Sequence, residues 1–152
     1  MLKFAVPAVA ALGLLAVAAQ SQSRAPGAEA QPMGWHFYTE GDMAKLAYGV
    51  ANSDVLTVMM TCQPGDRMAT VYGAAAPDSP RVVKAASVEL DPLSGGAFEE
   101  SRVPLNDPVL RDLAGKGVLK VKGEVGRAQL KASDGERRLA GAFFAHCAPK
   151  AA

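Results

Sequence analysis

Two cysteines, Cys62 and Cys147, constrain the fold of this chain more than any other feature of its sequence. Cys62 ends the run VLTVMMTC, in which every second residue is apolar, as expected for a strand with one face on a core. Cys147 ends the stretch SDGERRLAGAFFAHC, where Ser133 and Glu136 have capping-box spacing and apolar residues recur at every fourth position. The sequence therefore predicts a buried strand and an amphipathic helix, each ending in a cysteine.

The first 32 residues have the composition of an export leader followed by a tether. In residues 1–19, one early lysine precedes an apolar run of about 15 residues, whereas a membrane-spanning helix needs roughly 20. We interpret residues 1–19 as a signal peptide, cleaved after Ala18, Ala19 or Ala30, with an uncleaved membrane anchor as the alternative. Residues 20–32 are predicted to be a disordered linker, because they hold no large apolar residue. The protein is therefore expected to be periplasmic or secreted.

Two cysteines in an exported chain most simply pair with each other. A disulfide between Cys62 and Cys147, which are 85 positions apart, would stabilise the fold by about 4 kcal/mol in the chain-entropy model. The alternatives are a reactive thiol beside His146, a metal site that adds His36, and intermolecular pairing. Adjacent helical residues diverge by about 100°, and the chain lacks closely spaced ligand pairs. We therefore expect a structural disulfide and no metal or other cofactor.

Short strand patterns separated by turn signals fill most of residues 33–148, which we expect to form a single domain followed by a frayed tail at 149–152. Helices are predicted over residues 108–115, which begin with Pro108, and over residues 133–147. Strands are predicted over residues 35–40, 43–49, 55–62, 67–73, 81–90, 97–103, 118–125 and 128–132, with a loop at 74–80. This order predicts an α+β fold: a curled antiparallel β-sheet of about seven or eight short strands, with a short internal helix and a C-terminal helix packed on one face.

Few residues have the chemistry of a catalytic or metal site. His36 and His146 are the only histidines that could act as the base of a hydrolase, and no Gly-x-Ser-x-Gly motif accompanies them. We therefore assign no catalytic residue. Five methionines are interpreted as core filling, and not as thioether ligands for copper: Met33, Met43, Met59, Met60 and Met68.

Aromatic residues near the start of the domain form the first candidate binding surface. Alternation along the first strands predicts that His36, Tyr38 and Tyr48 share one face of the hairpin and that Trp35 lies on the other face. Aromatic rings with polar groups are common both at binding surfaces and at the margins of cores, so these four residues fit either interpretation.

Basic residues in the C-terminal strands form the second candidate surface: Lys116, Lys120, Lys122, Arg127 and Lys131. They are either a solvated face or an electrostatic docking surface for an acidic partner or anionic lipid headgroups. The whole chain is close to neutral, with 16 basic and 15 acidic residues, so it lacks the broad positive field of nucleic-acid-binding proteins.

The layout of residues 33–147 is similar to that of small exported proteobacterial proteins of uncharacterised function. Its markers are Ala47-Tyr48-Gly49, Ser53-Asp54, the strand that ends in Cys62, and the helical set Leu139, Phe143 and Cys147. The resemblance implies export but no activity. Small periplasmic protease-inhibitor barrels are similar in size and export signal, but their cysteines lie close together in sequence, so no inhibitor residue is carried over.

These features predict an exported, disulfide-stapled, non-enzymatic domain that binds a protein or an envelope component. We expect it to bind no nucleic acid and to contact a membrane only through the signal peptide during export. The alternatives are a small periplasmic hydrolase-like enzyme that uses His36 or His146, and a passive structural protein of the cell surface. The sequence leaves the oligomeric state open.

Overall fold

The computed structural model describes residues 32–85, 89–90, 97–98 and 100–149, with the backbone alone at 89–90 and 97–98. The predicted signal peptide, all but the last residue of the predicted linker, and most of the predicted tail lie outside these residues. So do residues 86–88 of the predicted strand 81–90 and residue 99 of the predicted strand 97–103.

Short antiparallel strands and two helices make up the described chain, which confirms the predicted α+β class. The strands are β1 Gly34–Glu40, β2 Met43–Gly49, β3 Leu56–Cys62, β4 Met68–Tyr72, β5 Ala75–Pro77, β6 Val83–Lys84, β7 Glu89–Leu90, β8 Ala97–Phe98, β9 Ser101–Pro104, β10 Val118–Gly123 and β11 Gly126–Lys131. The helices are α1 Pro108–Lys116 and α2 Asp134–Cys147. β5 lies within residues 74–80, so the prediction of an uninterrupted loop there is wrong.

The strands divide among three sheets instead of forming one curled sheet. The largest has six strands in the order β1-β2-β3-β4-β9-β6, the second has the order β11-β10-β5, and β7 pairs with β8. β5 belongs to the second sheet, because its three residues pair with β10, where Pro77 lies opposite Val121.

One face of the six-stranded sheet forms the main core. Alternate residues of the neighbouring strands meet there: Leu46 lies opposite Met60, and Met60 lies opposite Val71. All three side chains are buried, as is Phe143 of α2. The predicted packing of the C-terminal helix on one face of the sheet is therefore confirmed, and α2 contacts β1 and β2 directly.

The C-terminal end of α2 is attached covalently to the sheet. Cys147 is bonded to Cys62 at the end of β3, with a Cα–Cα distance of 5.7 Å, which confirms the predicted disulfide. The Gly65 N–H donates to the Cys147 carbonyl oxygen at 3.0 Å, so the turn that follows β3 also holds the helix.

The N-terminal end of α2 is held by one carboxylate. Oε1 of Glu136 accepts a 2.7 Å hydrogen bond from the Trp35 backbone N–H, across 101 positions of sequence. Its Oε2 accepts from the Ser133 N–H at 2.7 Å and from the Ser133 hydroxyl at 2.6 Å, which confirms the predicted capping box. Glu136 therefore caps its own helix and fastens that helix to β1.

The pKa of Glu136 reflects these contacts. Partial burial raises this pKa. The hydrogen bonds from Ser133 and Trp35, together with the nearby His36 imidazole, lower it by a larger amount, so the net pKa lies below its usual value of 4.5. A carboxyl group whose pKa is lower in the folded state stabilises the fold above its unfolded pKa. That stabilisation is lost as the pH falls through the folded pKa.

We expect Glu136→Gln to lower the free energy of unfolding at pH 7 by about 1 kcal/mol, because the charged acceptor is lost. The difference between wild type and variant should begin to shrink as the pH falls below about 4.5, where the carboxyl group of the unfolded chain becomes protonated, and should be lost once the pH falls through the lower pKa of the folded state. Urea unfolding between pH 7 and pH 3 measures this difference. Glu124→Gln, at an exposed turn, is the matched control. A difference that stays constant over this range would contradict the assigned role.

Candidate functional site

The four residues of the predicted aromatic surface lie in two environments. Trp35 is directly opposite Tyr48 in the β1–β2 pair, and their ring centroids are 5.3 Å apart. Directly opposite residues project from the same face of a sheet, so the prediction that Tyr48 lies on the other face of the hairpin from Trp35 is wrong. Trp35 is only 2 % exposed and belongs to the core. His36 and Tyr38 stack on the other face with centroids 6.3 Å apart, and only Tyr38 is well exposed, at 48 %.

Each histidine ring lies against a backbone carbonyl. Nε2 of His36 is 3.3 Å from the Gly49 oxygen, and Nε2 of His146 is 2.9 Å from the Asp42 oxygen. The His146 contact ties the last turn of α2 to the β1–β2 turn. Within the described ranges, the hydrogen bonds place neither ring against a serine hydroxyl or a carboxylate, so the geometry assembles no hydrolase-type triad around them. The described residues also contain no cluster of three or more His, Cys, Asp or Glu side chains suited to a metal ion.

The methionines do not share one role. Met60 is fully buried, but its neighbour Met59 projects from the opposite, outer face of the six-stranded sheet, where Met43 and Met68 are also half-buried. Met33 is exposed ahead of β1. The interpretation as core filling is therefore confirmed for Met60 and wrong for the other four. Met43 and Met68 line an open groove of about 450 Å³ on this outer face.

The second candidate surface becomes a compact site in the structure. Four exposed cations of the β10–β11 hairpin share one face, which we call the hairpin basic face: Lys120, Lys122, Arg127 and Lys131. The antiparallel register produces this grouping, because Lys122 pairs with Arg127 and the next pair on the same face is Lys120 with Gln129. Lys116 does not belong to this face. It ends α1, where its ammonium group lies 2.9 Å from the Asp112 carboxylate.

The inner face of the same hairpin holds the cations in this orientation. Leu119, Val121 and Leu130 are buried, and they alternate with the cations along both strands. A shift of the register by one residue would expose these apolar side chains and bury the charges, so the arrangement is strongly specified.

The hairpin turn differs from the prediction. The sequence suggested a turn around Gly126 and Arg127, but Gly123 pairs with Gly126, and Glu124 and Val125 form the turn. Gly126 has a φ of +109°, a conformation that few other residues adopt, and β11 begins there. Arg127 therefore lies in the strand and joins the basic face.

The charges on this face are unfavourable for folding. Lys122 and Arg127 are directly opposite, a position where like charges destabilise a sheet. Of the four cations, only Arg127 forms an ion pair among the described residues, with its Nε 2.9 Å from Oδ2 of Asp78. Asp78, Lys120 and Arg127 also line a groove of about 320 Å³ beside the hairpin. Such a face is suited to binding an anionic surface or ligand, which would offset the repulsion.

Comparisons of the chain with protein-family models, with curated proteins and with solved structures found no match. Among the residues that the structure describes, no helix is long and apolar enough to cross a membrane.

The opposed pair gives a direct test of the electrostatic cost. We expect Lys122→Glu to raise the free energy of unfolding by about 0.2–1 kcal/mol at low salt, because it converts a like-charge pair into an opposite-charge pair. The gain should fall in 1 M salt. Lys120→Glu, opposite the neutral Gln129, is the matched control and should change stability less. Urea unfolding measures the change in the free energy of unfolding for both variants. Equal changes would show that repulsion between Lys122 and Arg127 does not destabilise the fold.

Proposed function

We propose that the protein is an exported, disulfide-stapled, non-enzymatic domain that binds an anionic component of the cell envelope through the hairpin basic face. The observation that carries this proposal is the direct opposition of Lys122 and Arg127 within a face of four exposed cations. Burial of the inner face explains the alternation of the hairpin, but it does not require that the outer residues be cations. A ligand that brings negative charge to this face is the simplest reason for their presence.

Export is supported by two independent features. The Cys62–Cys147 disulfide is typical of proteins that fold in an oxidising compartment. Residues 1–19 have the charge, length and small-residue pattern of a cleaved signal peptide. We therefore place the mature protein in the periplasm or outside the cell, where envelope components are its neighbours.

Binding is favoured over hydrolysis because of the positions of the histidines. The His36 ring contacts the Gly49 carbonyl and so joins β1 to β2. The His146 ring contacts the Asp42 carbonyl and so joins α2 to the β1–β2 turn. Both contacts serve the fold, and none of the hydrogen bonds among the described residues joins either ring to a serine hydroxyl or a carboxylate, as a hydrolase triad would require. A passive structural role would not call for a concentrated face of one charge, so binding is favoured over that alternative as well.

The test is sedimentation of the purified exported protein with the envelope fraction of the bacterium that exports it. We expect the wild type to sediment with the envelope at low salt and to be released as salt rises, because screening weakens exposed charge contacts. The double variant Lys120→Glu/Lys122→Glu should bind at least about tenfold more weakly, since each lost cation near an anionic surface costs roughly 1 kcal/mol.

The matched control is Arg111→Glu/Arg138→Glu, which changes the net charge equally at exposed positions of α1 and α2. It should bind like the wild type. If the control loses as much binding as the hairpin variant, then net charge matters and the face does not. If the wild type fails to bind the envelope at all, the proposed function is wrong.

A further inference from the structure

The turn of the β10–β11 hairpin places an apolar side chain beside the basic face. Glu124 and Val125 join the two strands, and Val125 is fully exposed. Valine is unfavourable in a two-residue hairpin turn, where Asn, Asp and Gly are preferred, and here it gains nothing from burial. Neither the turn nor the core accounts for a valine at this position.

An exposed valine alone is ordinary on a protein surface. Here its position is informative, because Lys122 and Arg127 form the residue pair immediately before the Gly123–Gly126 pair that closes the turn. The two cations therefore lie within about 7 Å of the turn along the strands, at about 3.4 Å per residue. An apolar tip flanked by cations is the combination by which peripheral segments bind anionic lipid: the apolar group enters the interface and the cations meet the headgroups.

We propose that the envelope component is an anionic phospholipid bilayer, and that the hairpin contacts it with the basic face and with Val125 at the tip. This inference rests on the proposed function and names its partner. The folded domain itself would then bind the bilayer, so membrane contact would not be limited to the signal peptide during export.

The shape of the site favours an extended surface over a single small anion. Lys120 and Lys122 are two residues apart on one strand, so their Cα atoms are about 7 Å apart, and Arg127 lies on the neighbouring strand about 4.8 Å away. These side chains project from a sheet face and do not converge on one point. Asp78 offsets part of the Arg127 charge and Glu124 adds one negative charge at the tip, which leaves an excess of cations on the hairpin.

An acidic protein is the other class of partner that a basic face could bind. Such a partner would need an apolar contact for Val125 placed beside its acidic groups, whereas a bilayer offers anionic headgroups and apolar chains over its whole surface. A bilayer uses both features of the hairpin, so it is the occupant that the observations favour.

The experiment is sedimentation of the exported protein with vesicles of phosphatidylcholine alone or of phosphatidylcholine mixed with phosphatidylglycerol. We expect binding only to the anionic vesicles and loss of about 25-fold in affinity for Lys120→Glu/Lys122→Glu, at roughly fivefold per cation. Arg111→Glu/Arg138→Glu should bind like the wild type. Val125→Ser should weaken binding severalfold at unchanged charge.

A second variant reports contact at the tip directly. Val125→Trp should bind the anionic vesicles more tightly, and its tryptophan emission should shift to the blue on binding, because indole rings favour the membrane interface. The native Trp35 is buried in the core, so its emission should stay constant. Unchanged emission of Val125→Trp on bound vesicles would overturn the tip contact.

Three outcomes would overturn the lipid assignment. One is equal binding to neutral and anionic vesicles. The second is loss of envelope binding after protease treatment of the envelope, which would identify a protein partner. The third is failure to bind vesicles while hairpin-dependent binding to the envelope persists, in which case only the lipid inference falls. If binding to both fails, the proposed function falls with it.

Discussion

The docking of α2 on the six-stranded sheet is the interaction on which the rest of the structure depends. The helix is held at one end by the Cys62–Cys147 disulfide and at the other by the hydrogen bond from the Trp35 N–H to Glu136. Between these points Phe143 is fully buried. Because both attachments join the C-terminal helix to strands near the start of the domain, they close the chain into one unit and specify the face of the sheet that becomes the core.

The basic face follows from this arrangement through a chain of contacts. α2 packs on α1, and α1 packs on β10. Gly117 ends α1 in the left-handed conformation at φ +72° and directs the chain into β10, and its carbonyl accepts a 2.8 Å hydrogen bond from the Ala132 N–H. Since Leu119 and Val121 are buried, the alternating residues Lys120 and Lys122 must project outward. The core therefore determines where the charges point.

Local rules made part of this fold predictable from the sequence. Alternation identified the strand that ends in Cys62, and the Ser133–Glu136 spacing identified the start of α2, because each signal is contained in a few consecutive residues. The position of Tyr48 was missed because it depends on register between strands. Because the turn pairs Glu40 with Met43, the register makes Tyr48 the cross-strand partner of Trp35, on the same face of the sheet. The length of the turn therefore determines which face Tyr48 occupies. The hydrogen bond from the Trp35 N–H to Glu136 spans 101 positions and leaves no local signal.

The claim that the hairpin basic face is the binding surface can be tested without knowing the partner. Lysines of the exported protein can be labelled with an amine-reactive reagent, with and without bound envelope, and the labelling rate of each can be read by mass spectrometry. We predict that Lys120, Lys122 and Lys131 become protected on binding, whereas Lys45 and Lys116, which are paired with Glu40 and Asp112, keep their labelling rates. Protection centred on Lys45, or spread evenly over all lysines, would contradict the claim.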